Sequence, residues 1–171
     1  FIEAWQYDRA WAQNLLKVGE IFRRLLGTKQ RKILSRMQAV LESKPDLGEQ
    51  ASLLEALEKW LLQHSLDPWK KQELQAILKL QYGYLYYAKG QYDAALNISL
   101  AMVSSCPNIL CSPLAKMLRQ LAWKFSWKKG AAIPSEQGQI AAKRAIELDA
   151  KDSHNWFVLG LVSRGLKQHE K

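Results

Sequence analysis

The chain is poor in the residues that punctuate or cross-link a fold. Its 171 residues include 5 Pro, 9 Gly and 2 Cys. Two cysteines cannot form a disulfide framework. Cys106 and Cys111 stand in a C-x4-C spacing with no nearby His or further Cys. That argues against a zinc site and for buried or loop thiols in a reducing compartment. The scarcity of Gly and Pro leaves long runs of Leu, Ala, Lys, Gln and Glu uninterrupted, a helix-forming composition. No apolar stretch approaches the ~18 residues of a spanning helix, and no signal peptide is visible. The chain opens on Phe1 rather than Met, which points to a segment of a longer or processed protein.

Catalytic constellations are also missing. There is no phosphate loop, no G-x-G-x-x-G and no H-E-x-x-H. His64, His154 and His169 lie near expected helix ends or the terminus, without a Ser, Cys or carboxylate at a recognisable spacing. Glu55, Glu58, Asp149 and Asp152 read as surface or capping carboxylates. No enzyme activity, cofactor or metal is therefore expected. Asn97-Ile98-Ser99 fits a glycosylation sequon but falls inside an expected helix.

Acidic residues are the scarcer charge: 16 Asp and Glu against 25 Lys and Arg, a net charge of +9. Arg23, Arg24, Lys29, Arg31, Lys32 and Arg36 cluster around an expected helix turn. Between Asp93 and Glu136 no acidic residue occurs, and Lys116, Arg119, Lys124, Lys128 and Lys129 fall there among Trp123, Phe125 and Trp127. Such patches read as solvated faces or docking sites for an acidic protein partner. Interleaved aromatics also permit single-stranded nucleic acid.

What is present is helical periodicity from end to end. Trp11, Leu15, Val18, Phe22 and Leu25 place one helix over about 8–26, ended by Gly27. Ile33, Leu34, Met37, Val40 and Leu41 place a second, ended before Pro45. A turn over 45–48 leads to a third over 49–65, with Leu53, Leu54, Leu57, Trp60 and Leu61 inward. Asp67-Pro68 starts a long helix to Lys89, because Asp caps and Pro fits a first turn. Gly90 breaks it, and 92–105 forms its partner. Residues 108–113 read as a loop, 114–129 as a helix, 130–134 as a second loop, 135–148 as a helix capped by Ser135, and a last helix starts near Ser153. The expected fold is all-α with about seven to eight helices, divided as 1–66 and 67–171.

The small residues Gly83, Ala122 and Gly160 stand 39 and 38 positions apart. Tyr86 and Phe125 follow the first two by three residues. Trp156-Phe157-Val158-Leu159-Gly160 follows Ala145-Ile146-Glu147-Leu148-Asp149. Together these features resemble the tetratricopeptide repeat, whose period is about 34, with longer loops. The chain departs from the pattern at Met102, Gly138 and Ala150. The resemblance covers about 74–168, with units at 67–107, 108–150 and from 153, and a degenerate unit over 8–45.

The resemblance implies a right-handed helical solenoid with a concave face lined by first helices. On this chain that face would carry Leu80, Tyr84 and Tyr87, then Arg119, Trp123 and Ser126, then Phe157, Leu161 and Arg164. The alternative is that Tyr84, Tyr87 and Trp123 are core. The Lys and Asn positions by which chaperone-binding members hold a terminal carboxylate are not matched. The implied function is a protein-interaction scaffold that takes a peptide or helix with acidic or extended segments, in the cytoplasm or nucleus. The rival readings are an RNA-binding helical repeat and a regulatory domain of a larger enzyme.

Overall fold

The computed structural model describes residues 47–63, 65–128, 131–133 and 135–167. The expected helices over 8–26 and 28–44, and the basic cluster from Arg23 to Arg36, lie outside them. Among the described residues the chain is mostly helical. Six helices run α1 Leu47–Gln63, α2 Pro68–Ala88, α3 Tyr92–Val103, α4 Asn108–Ser126, α5 Glu136–Leu148 and α6 Ser153–Lys167. Between α4 and α5, β1 Trp127–Lys128 pairs antiparallel with β2 Ala131–Ala132. No helix among the described residues is long and apolar enough to cross a membrane.

The chain forms two compact units that divide inside α2, between Leu78 and Lys79. In the first, α1 buries Leu54, Leu57 and Leu61, an i, i+3, i+7 stripe, and the start of α2 buries Leu74, Ile77 and Leu78. α1 begins at Leu47, so the expected turn at 45–48 gives way to helix by its third residue.

The second unit is centred on α4, which packs against α3, α5 and α6 and makes its broadest interface with α5. Leu110, Leu114, Ala115, Met117, Leu118, Leu121 and Ala122 are its buried face. A Gly turn joins α2 to α3. Gly90 takes φ 74°, a left-handed conformation that costs a glycine nothing. Gly90 N–H donates to Tyr87 O at 3.0 Å and Gln91 N–H to Tyr86 O at 2.9 Å, the paired bonds of a Schellman stop.

Two expectations are corrected at α4. Residues 108–113 are not a loop: the helix starts at Asn108, after Pro107, and carries Pro113 inside it. Leu110 lies four residues before Leu114 and is buried with it, so packing holds a turn that Pro113 would otherwise disfavour. At the other end the helix stops at Ser126 rather than Lys129. Trp127 is extended (φ −131°, ψ 115°), and Ile133 N–H donates to Ser126 O at 2.8 Å.

The helices cross on small residues. A Cβ placed on Gly83 would sit 3.4 Å from Ile98 Cγ2 and 3.5 Å from Ser99 Oγ, ordinary van der Waals contact with α3. The approach at Gly138 is closer. A Cβ there would lie 1.9 Å from Ser126 Oγ and 3.2 Å from the Ala122 carbonyl. Gly138 is thus the residue that lets α5 lie against α4 opposite Ala122. Ser135 caps α5, its hydroxyl accepting from Gly138 N–H at 3.0 Å.

Candidate functional site

The nine residues expected on a concave face differ in exposure, and three of them are buried. Leu80 and Tyr84 are buried, at 3% and 4% exposure, and this corrects their assignment to an open groove. Tyr84 reaches across to α4, where its hydroxyl donates to Pro113 O at 3.3 Å. That bond satisfies the polar end of an otherwise apolar core ring. Ser126 is buried as well, at 4%. Tyr87 is half-buried and meets Tyr92 edge-on, with ring centroids 5.3 Å apart. Trp123, also half-buried, stacks on Trp127 at 4.9 Å and 18°. Each therefore spends one ring face on the other.

Arg119 belongs to a polar knot at the α5–α6 corner. Its Nη1 donates to Asp152 Oδ2 and, at 3.3 Å, to Asn155 Oδ1. Asp152 is the N-cap of α6: its Oδ1 accepts from His154 N–H at 2.9 Å, and the His154 Nδ1 lies 3.0 Å away. Asn155, 1% exposed, donates through Nδ2 to Asp149 O at 2.8 Å and Ala145 O at 3.3 Å. It thereby covers the carbonyl of the C-cap residue Asp149 and adds a second donor to Ala145 O, which already accepts from Asp149 N–H. Desolvation pushes the Asp152 carboxyl upward. The His154 backbone N–H, the Arg119 hydrogen bond, the His154 ring and the Arg119 charge outweigh it, so its pKa lies below the ordinary carboxylate value. Sequence spacing marked Asp152 as a cap but carried no sign of Arg119 or Asn155, which lie 33 and 3 positions away.

The remaining groove candidates, Phe157, Leu161 and Arg164, all lie on α6. Phe157 is 62% exposed, Arg164 is exposed and Leu161 is half-buried. With Trp156 (53% exposed) and Gly160 they occupy positions i, i+1, i+4, i+5 and i+8, one continuous stripe of the helix. The opposite face buries Asn155, Val158 and Val162. A Cβ on Gly160 would meet nothing within 4 Å. The Trp156 ring is exposed yet fixed, because its Nε1–H donates to Ala150 O at 2.9 Å.

An apolar cleft of about 480 Å³ lies between α3 and α5, lined by Leu100, Val103, Ile140, Arg144 and Leu148. Arg144 pairs there with Glu147 at 2.6 Å. Of the basic patch, Lys116 and Lys128 are exposed and Lys124 is half-buried, while Lys129 lies outside the described residues.

Cys106 and Cys111 are free and half-buried at the start of α4. Burial, the hydrogen bond to Cys111 and the charge of Cys111 push the Cys106 thiol up to about 12. It is therefore a neutral, weakly nucleophilic group at ordinary pH. In the sequon, Asn97 is exposed, but Ser99 is 1% exposed and its Oγ donates to Ala95 O at 2.7 Å, so the native helix withholds the motif. No group of three His, Cys, Asp or Glu among the described residues could hold a metal ion. No protein-family model, curated protein or solved structure matches the chain.

Proposed function

We propose that this chain is a tetratricopeptide-like helical-repeat module that works as a non-catalytic protein-interaction scaffold, in the cytoplasm or nucleus. The observation that carries the reading is the α6 stripe, where two large aromatics lie open on a helix whose other face is firmly packed. Contiguous exposed aromatic surface of this kind marks association sites. The repeat reading draws support from the spacing of Gly83, Ala122 and Gly160 together with the first two crossings. Gly83 meets α3, and Ala122 meets Gly138 of α5.

The nucleic-acid reading has less support. Trp123 and Trp127 stack on one another beside Lys128, which leaves fewer free ring faces for bases. The deciding experiment is recovery and identification of proteins retained by the chain at moderate salt, alongside titration with labelled oligouridylate. A retained protein partner together with weak oligonucleotide binding is the expected result. The scaffold reading fails if no protein is retained and oligouridylate binds with a steep salt dependence that charge reversal at Lys116, Lys124 and Lys128 abolishes.

A further inference from the structure

α6 carries a helix-crossing surface on which no helix lies among the described residues. In α2 the glycine at position 83 is covered, with Ile98 and Ser99 of α3 at van der Waals distance. In α6 the space over Gly160 is open, and around it stand Trp156, Phe157, Leu161 and Arg164. A helix laid over Gly160 could approach closely, because no side chain holds it off. Trp156 is already held in one orientation by its bond to Ala150, so little rotamer freedom would be lost when a partner packs on it.

Charge narrows the occupant. From Ser153 to Lys167 the helix contains no Asp or Glu, and Arg164 is exposed at one end of the stripe with His154 exposed near the other. The neighbouring carboxylate of Asp152 is engaged by Arg119 and His154. A second copy of α6 would bring Arg164 against a face of the same sign, which works against symmetric self-association.

We propose that the stripe Trp156, Phe157, Gly160, Leu161 and Arg164 is the docking site for an amphipathic helix of a partner protein. Its seam residues are apolar and its flanks are acidic. This rests on the interaction-module reading and names its partner class.

The test uses three probes: fluorescein-labelled helical peptides of about 18 residues (~27 Å) with an Ile/Ala seam and either Glu or Lys flanks, and labelled oligouridylate. The Glu-flanked peptide should bind the chain at least about tenfold more tightly than the Lys-flanked one, and Arg164→Glu should reverse that order. Gly160→Leu and Phe157→Ala should each weaken binding about tenfold or more. Gly160→Leu fills open space and raises helix propensity, so its melting temperature should stay level or rise, which separates lost binding from lost fold.

The proposal is overturned if neither variant changes the Glu-flanked peptide's affinity, if that peptide does not bind, if oligouridylate alone binds through these residues, or if the chain dimerises through the stripe. A native partner retained equally by the wild-type and Gly160→Leu chains would sink the α6 site while leaving the scaffold reading intact. Failure to retain any partner, with the peptide still bound through the stripe, would do the reverse.

Discussion

Gly138 and Ser126 show how far one residue's chemistry depends on the residue opposite. In a helix interior, alanine is favoured over glycine by about 1 kcal/mol. At position 138 that gain is set against a Cβ driven into Ser126 Oγ and crowded by the Ala122 carbonyl. Overpacking of this kind costs about 1–3 kcal/mol, so Gly138→Ala should destabilise the fold on balance. Ser126 Oγ is buried with no hydrogen-bond partner, so Ser126→Ala alone should be neutral or stabilising. In the Ser126→Ala background Gly138→Ala should cost less, and urea unfolding of all four proteins measures the coupling. Equal penalties in both backgrounds would mean that the hydroxyl is not the obstacle.

Burial also sets the reactivity of Cys106. Raising its pKa from 9.0 to about 12 lowers the thiolate fraction on the order of a thousandfold below pH 9. Native Cys106 should therefore alkylate far more slowly than the same residue in urea, as mass spectrometry of iodoacetamide-treated chain would show. The sign is that of a neutral form favoured by folding. The stabilising contribution is complete below about pH 9 and is lost as pH rises toward 12.

Among the elements, those with chemical punctuation were legible from sequence. Asp67-Pro68 and the Gly90 stop bound α2 close to where they should, and Ser135 caps α5. The first turn of α4 was hidden because Ser112-Pro113 carries the local signature of a loop, whereas the four-residue step from Leu110 to Leu114 speaks only once there is a core to face. The β1–β2 ribbon has two residues per strand, too short for alternation to register.

The site was less legible still. A buried aromatic and a groove-lining aromatic share the same helical spacing, and Tyr84 is resolved as core by its burial against α4, where its hydroxyl meets the Pro113 carbonyl 29 residues away. The Asp152 carboxyl has a lowered pKa, so its contribution is present above the ordinary value near 3.8 and is lost as pH falls through the depressed one. Asp152→Asn should therefore reduce stability at pH 7, and the gap to wild type should narrow as pH falls below 3.8. Guanidinium melts at pH 7 and on the acid side of that value would check this, and a penalty independent of pH would point to lost geometry rather than lost charge.

At the scale of the whole molecule, each unit builds its own core, and the surplus of 25 basic over 16 acidic residues is spread over a sequence that contains no acid between Asp93 and Glu136. A positive surface speeds encounter with acidic partners and makes it salt-dependent, without saying where they bind. The second unit supplies a place, because its last described helix is packed on one side and open on the other. The Arg119 link gives this helix an unusual standing for one packed on a single side. Such helices ordinarily fray, and their amides exchange with solvent through local opening. Here the α6 N-cap is tied to α4 and Asn155 to the end of α5, so α6 cannot lift away without breaking contacts made by the central helix. In deuterium exchange the amides of Val158 and Val162 should open together with those of α4, as one cooperative block. In Arg119→Met they should exchange faster, ahead of that block.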